Sequence, residues 1–140
     1  METSATSSSR ALLVRVGGRD VALEARSTRG AALVEHVTPV PRSSEMLLGL
    51  IAVRGDIVPL VDLARLLGSA TPEFVGRQAV VVETRGERFA FPVEDVFGFA
   101  NVVPAHGALT APPVEVGERV VEALSLDEAL TALSERISLV

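Results

Sequence analysis

Short stretches of alternating apolar and polar residues run along most of this chain, and turns that contain glycine separate them. A period of two residues is typical of β-strands that bury one face. The predicted strands are residues 11–16, 21–25, 31–40, 47–53, 57–63, 78–84, 88–92, 93–103, 114–116 and 119–124. Residues 26–30 are small and polar, and their pattern predicts no element. The chain is therefore predicted to be mainly β.

Helical spacing is confined to two places. Residues 63–67 can form a short turn of helix that Gly68 ends in the left-handed conformation. Ser125-Leu-Asp-Glu128 matches a capping box, and apolar residues recur behind it at helical spacing. An amphipathic C-terminal helix is therefore expected over residues 125–137. Residues 1–10, which are rich in Ser and Thr, are expected to be a disordered tail.

The chain contains an internal repeat. Leu13-Val14, Gly18 and Ala22-Leu23 are matched 68 residues later by Val81-Val82, Gly86 and Ala90-Phe91. A lone hairpin cannot bury its apolar face, so the repeat favours two small packed barrels, although unrelated hairpins can also look alike. We expect a single domain over residues 11–140, with approximate halves at 11–68 and 78–124.

Composition removes many classes of function. A net charge of −5 argues against an electrostatic nucleic-acid binder. All 13 basic residues are Arg and there is no Cys, which excludes Schiff-base lysines, thiolate nucleophiles and zinc–thiolate sites. Two His cannot supply the three protein ligands usual for catalytic zinc. We therefore expect no metal, no cofactor and no enzyme.

The longest apolar run, residues 46–53, is far shorter than the roughly 20 residues of a spanning helix, which favours a cytoplasmic protein without membrane insertion.

The carboxylates Asp56 and Asp62 form the most obvious candidate pair for acid–base chemistry. They share a strand face but would lie roughly 20 Å apart, whereas paired glycosidase carboxylates lie about 5–10 Å apart. A turn role for Asp56 and a capping role for Asp62 are therefore favoured. A remote alternative is a small acid–base hydrolase that uses Asp62 with His36 or His106.

Arg54 stands at the tip of the strongly apolar hairpin formed by residues 47–53 and 57–63. A residue selected only for a tight turn would more often be Asn, Asp or Gly. A protruding guanidinium can bind a partner carboxylate in a bidentate manner, hold an acidic group of its own chain, or remain solvated. The residues themselves leave these three interpretations open.

The stretch from Gly49 to Leu63, closed by Gly68, resembles the signature of CheW-like domains. That pattern runs G-apolar-apolar-x-apolar-R-G-x-apolar-apolar-P-apolar-apolar-D-L. The matching positions are Gly49, Arg54, Gly55, Pro59, Asp62 and Leu63. Residues 37–41, 93–96 and 124–126 resemble further family segments, with Ser125 where Asp is usual. The resemblance covers about residues 11–135.

This resemblance implies two packed five-stranded SH3-like β-barrels with a short helical turn and a C-terminal helix. It also implies a non-enzymatic adaptor in chemotaxis or motility signalling. The partners would be the cytoplasmic tip of a chemoreceptor and the regulatory domain of a CheA-type histidine kinase. The implied partner-binding residues are Val53, Arg54, Gly55, Asp56 and Asp62. The implied structural residues are Gly49, Pro59, Leu63 and Gly68.

One departure from the family pattern concerns the expected partner of Arg54. The family usually carries a Glu in a V-x-E-V segment that can pair with the Arg of the R-G turn. Here Gly30 falls on that position, so Arg54 lacks its expected partner unless Glu24 or Glu35 substitutes. The alternative function is therefore a module that binds only the kinase regulatory domain, including one in a twitching-motility array.

Overall fold

The structure is a computed structural model that describes residues 7–137. In this range the chain forms ten β-strands, two α-helices and a short 3-10 turn at Ala25–Ser27. The strands are β1 (Ser9–Val16), β2 (Arg19–Glu24), β3 (Thr28–Leu33), β4 (Leu47–Val53), β5 (Asp56–Val61), β6 (Gln78–Thr84), β7 (Glu87–Pro92), β8 (Asp95–Val102), β9 (Val114–Val116) and β10 (Arg119–Ala123). The helices are α1 (Leu63–Leu66) and α2 (Leu126–Ile137).

The period-two pattern located most of these strands, and the structure confirms the hairpins and both helices. The predicted strand at residues 31–40 is wrong, because β3 begins at Thr28 and ends at Leu33. Beyond that end, Thr38 forms only an isolated bridge with Leu50. The prolines at positions 39 and 41 supply no N–H donor, so a continuous ladder cannot run through this segment.

The prediction of a disordered tail over residues 1–10 is wrong at its last two residues. Ser9 and Arg10 belong to β1 and pair with Val102 and Asn101 of β8. Residues 1–6 lie outside the described part of the chain.

The strands form two five-stranded sheets. Sheet I has the order β8-β1-β2-β10-β9, and sheet II has the order β3-β6-β7-β5-β4. The two orders correspond strand by strand. In each sheet a central hairpin pairs on one side with an antiparallel strand and on the other side with a parallel strand from a second hairpin. In both cases a helix follows that parallel strand.

The two sheets do not coincide with the two halves of the sequence. Sheet I combines β1 and β2 of the first half with β8, β9 and β10 of the second. Sheet II combines β6 and β7 of the second half with β3, β4 and β5 of the first. The repeat is therefore present, but each repeat donates its first hairpin to the sheet of the other.

Three apolar cores follow from this exchange. The largest lies between the sheets and contains Val14, Val16, Val21, Leu23, Val61, Leu63, Ala64, Leu67, Val80, Val82, Phe89, Phe91, Val93, Leu124, Leu126, Ala129 and Leu133. A second core belongs to sheet II and a third to sheet I. In β1, for example, Leu13 faces the core of sheet I, whereas Val14 faces the shared core. The exchanged hairpins are thus buried on both faces, which explains their nearly continuous apolar runs.

A charged pair joins β1 and β2, the central hairpin of sheet I. Arg15 and Asp20 are cross-strand neighbours, and the Arg15 Nε donates to Asp20 at 2.8 Å. This hydrogen bond and the charge of Asp20 raise the pKa of Arg15. No helix within residues 7–137 combines the length and the apolarity needed to cross a membrane.

Candidate functional site

The β4–β5 hairpin forms an exposed tip on a buried base. Val53 pairs with Asp56 across the turn. Arg54 has φ 50° and Gly55 has φ 88°, the pair of positive values that a type I′ turn requires. Arg54, Gly55 and Asp56 are exposed and the next residue, Ile57, is 67% exposed. Val53 instead packs into the core of sheet II. Val53, one of the predicted contact residues, is therefore buried and holds the base of the hairpin against this core.

The Arg54 side chain reaches from the end of β4 to β3, the strand at the opposite edge of sheet II. Its Nη2 lies 2.8 Å from the point where a Cβ would stand on Gly30. The Cζ and Nη1 lie 3.7 and 3.8 Å from the same point. The guanidinium therefore covers the bare backbone of Gly30, in space that a side chain would occupy.

Glycine is required at position 30 by the geometry of β3. Thr28 pairs with Val82 and Ala31 with Val80, so three steps on β3 face two steps on β6. This extra residue is a β-bulge, and Gly30 adopts φ +101° within it. An L-residue with a side chain is strained in that conformation. The bulge therefore explains why no Glu stands opposite Arg54.

No carboxylate of the chain replaces that missing Glu within residues 7–137. Glu24 forms an ion pair with Arg26 at 3.3 Å. Glu35 is exposed and forms no ion pair with a described residue. Arg54 likewise has no hydrogen bond or ion pair there.

A chain of charged side chains runs across sheet II beside the hairpin tip. Arg29 lies 3.6 Å from Glu83, Glu83 lies 3.1 Å from Arg88, and Arg88 lies 3.4 Å from Asp56. These contacts link β3, β6, β7 and β5 in turn. Asp56 and Glu83 thus already pair with Arg88 and Arg29, whereas no carboxylate within residues 7–137 pairs with Arg54.

Asp62 is not a surface residue. Its side chain is 1% exposed, its Oδ1 accepts a hydrogen bond from the backbone N–H of Arg65 at 3.1 Å, and its Oδ2 accepts one from the Thr71 hydroxyl. The capping role predicted for Asp62 is therefore confirmed, because its side chain caps α1. Its contact with a partner stays a prediction, although the buried carboxylate offers little surface for one.

The histidines do not form a site with Asp62. His36 and His106 are both exposed, and no hydrogen bond joins either one to Asp62. Residues 7–137 contain no cluster of three or more His, Asp or Glu side chains that could hold a metal ion. The structure thus brings together the residues of the hairpin tip and leaves the hydrolase candidates apart.

The remaining motif residues support the hairpin. A Cβ on Gly49 would lie 2.7 Å from the carbonyl oxygen of Thr38. Glycine at position 49 therefore allows Thr38 to come close enough to β4 to form its bridge with Leu50. Pro59 pairs with Leu50 in the hairpin. Leu63 is fully buried in the shared core, and Gly68 follows α1 with φ 87°.

Sequence reasoning overlooked one residue, Arg85. It occupies the β6–β7 turn with φ 51°, followed by Gly86 with φ 76°. The repeated Arg-Gly pair was the available signal. Its Nη2 donates to the Asp127 carbonyl at 3.0 Å and to the Thr131 hydroxyl at 2.9 Å, both in α2.

The family model for CheW-like domains matches residues 10–130. This is most of the chain, which therefore belongs to the CheW-like domain family. Its sequence is 35% identical over 66 residues to the chemotaxis protein CheW of Thermotoga maritima. That segment covers 47% of this chain and 44% of the Thermotoga protein, so the match spans less than half of either.

The architecture resembles the crystal structure of the scaffolding protein TtCheW from Thermoanaerobacter tengcongensis. The TM-score is 0.71, and the likeness covers 84% of this chain and 89% of that chain at 15% sequence identity. At such identity the likeness shows the fold alone. It confirms the predicted fold class of two small SH3-like barrels.

Proposed function

We propose that this chain is a non-enzymatic coupling scaffold of a chemotaxis or motility pathway. It links the cytoplasmic tip of a chemoreceptor to the regulatory domain of a CheA-type histidine kinase, on the cytoplasmic side of the membrane. Family membership over residues 10–130 supports this role, as do the names of the two similar proteins. The observation that carries the proposal is the exposed Arg54 tip on a hairpin whose base is buried.

The chemistry of this tip suits docking. A guanidinium stays protonated at physiological pH and offers five N–H donors in a fixed plane, so it can bind an oriented acceptor without transferring a proton. The base of the hairpin packs into the core of sheet II through Val53 and Val58. The donors therefore project from a rigid support, which lowers the entropy cost of association.

A binding titration tests this proposal. Wild-type protein and Arg54→Glu are titrated by calorimetry against the purified kinase regulatory domain and, separately, against a receptor-tip fragment. We expect Arg54→Glu to weaken binding and to leave the melting temperature unchanged, because the exposed side chain has no bonds within residues 7–137. Arg42→Glu is the matched control, since Arg42 is also exposed and also has a positive φ of 62°. Equal binding by wild type and Arg54→Glu would remove Arg54 from the interface.

A second candidate is a module that binds the kinase and not the receptor. The Gly30 bulge favours it, because a guanidinium without its intrachain carboxylate presents a different surface from that of the family pattern. The same two titrations separate the candidates. Measurable affinity for the receptor tip would exclude the kinase-only version.

A further inference from the structure

The chain contains two Arg-Gly turns of the same shape. Arg54 and Arg85 have φ 50° and 51°, and the following glycines have φ 88° and 76°. A non-glycine residue in the left-handed region costs roughly 1–2 kcal/mol. The turn geometry alone would favour Asn, Asp or Gly at both places. Each arginine is therefore better explained by what its guanidinium binds.

Arg85 shows what such a guanidinium does when a partner is present. It donates to the carbonyl of Asp127 and the hydroxyl of Thr131, and its Nε lies 4.0 Å from the Asp127 carboxylate. Asp127 is in the first turn of α2. The turn arginine thus fastens its hairpin to an acidic, hydrogen-bonding segment that packs beside it.

Arg54 has the same N–H donors as Arg85, but its guanidinium lies over a glycine and not beside an acceptor side chain of the described residues. Its guanidinium lies against Gly30, whose Cα carries no side chain. Beside the tip, Arg29, Arg88, Asp56 and Glu83 pair with one another and not with Arg54. Arg54 is therefore left with a surplus positive charge that no carboxylate within residues 7–137 pairs with.

We infer that Arg54 binds a carboxylate side chain of the partner protein, which meets the guanidinium from the solvent side while the guanidinium lies against Gly30. This inference rests on the proposed function, since it names the chemistry of the partner at the same hairpin. A single Asp or Glu would balance the surplus charge and make a bidentate pair with the guanidinium. A monoanionic carboxylate matches the single unpaired charge of Arg54, whereas a dianionic phosphate would bring a second negative charge that no unpaired cation there balances.

The absence of lysine from the sequence makes a direct test possible. Arg54→Lys introduces the only side-chain amine of the chain, and Arg85→Lys introduces one at the matched turn. Each variant is mixed with the kinase regulatory domain or the receptor-tip fragment and treated with a zero-length carbodiimide, which joins an amine to a carboxylate. Peptide mass spectrometry then locates the cross-links.

We expect an intermolecular link from position 54 to an Asp or Glu of the partner and no such link from position 85. Reversing the charge of that partner residue should weaken wild-type binding about 10-fold or more, the range expected for a hydrogen-bonded charge. Combining it with Arg54→Glu should restore affinity. If wild-type protein binds neither partner, both the proposed function and this inference are wrong. If wild-type protein binds but position 54 forms no link, or Arg54→Gln binds as wild type, the inference alone is wrong.

Discussion

Replacing Asp62 by Ala separates a structural role from a contact role for this motif residue. The buried carboxylate accepts hydrogen bonds from the backbone N–H of Arg65 and from the hydroxyl of Thr71. Alanine removes both acceptors and leaves the first turn of α1 without a cap. Because α1 begins at Leu63 in the shared core, the loss is expected to reach the packing between the two sheets.

The expected loss can be worked out from these contacts. Removing a side-chain N-cap costs about 1 kcal/mol, and the second hydrogen bond adds about 1–2 kcal/mol because its acceptor is charged. The sum is about 2–3 kcal/mol. For a domain of this size, 1 kcal/mol corresponds to roughly 3 °C, so the melting temperature should fall by roughly 6–9 °C. Asp62→Asn keeps one oxygen acceptor for the cap but loses the charged acceptor of Thr71, so it should cost about 1–2 kcal/mol, less than Asp62→Ala.

Differential scanning calorimetry and urea unfolding measure this loss. Asp56→Ala is the control, because its ion pair with Arg88 is exposed and should contribute less than about 1 kcal/mol. Calorimetric titration with the kinase regulatory domain at a temperature where Asp62→Ala remains folded should give the wild-type affinity. An unchanged melting temperature together with weakened binding would refute the reasoning, because it would make Asp62 a contact residue.

Two further substitutions test the local geometry. Gly49→Ala should lower the free energy of unfolding, measured in urea, by about 2–4 kcal/mol, because the added Cβ would lie 2.7 Å from the Thr38 carbonyl oxygen. Gly98→Ala is the control. Its φ is +107°, but the added Cβ would lie in open space, so it should cost only about 1 kcal/mol. Equal losses would show that close packing at Gly49 is unimportant. Ser125→Ala should cost about 1 kcal/mol by the same assay, because the Ser125 Oγ accepts from the Glu128 N–H at 3.2 Å, and an unchanged urea midpoint would contradict that capping role.

Local patterns predicted local structure well in this chain. The capping box at Ser125 and the turn of helix after Asp62 depend on neighbours within four residues, so they are visible in the sequence. The same kind of pattern gave a wrong prediction for the segment after Leu33, where a strand was expected. Val34 is 1% exposed and belongs to the core of sheet II although it lies outside any strand. An apolar residue that a loop buries is indistinguishable by period from one that a strand buries.

The candidate site was predicted only in part. The turn chemistry identified Arg54, and the motif spacing identified its neighbours. Exposure was not predictable, because Val53 and Asp62 point into the protein for reasons of tertiary packing. The structural reason for glycine at position 30 was also not predictable from the sequence. It depends on a bulge in the pairing of β3 with β6, two strands that lie about 50 residues apart in sequence.

Strand exchange explains why the repeat suggested two barrels without showing which strands build them. The halves are joined by the antiparallel pairings of β1 with β8 and of β3 with β6. They are also joined by the parallel pairings of β10 with β2 and of β5 with β7, and a tight turn cannot connect parallel neighbours. Each central hairpin is apolar on both faces, so it needs its own sheet core on one side and the shared core on the other. One repeat alone would leave one of those faces in water. The two repeats therefore fold as one unit, and the Arg54 hairpin of the first repeat takes its support from β7 of the second.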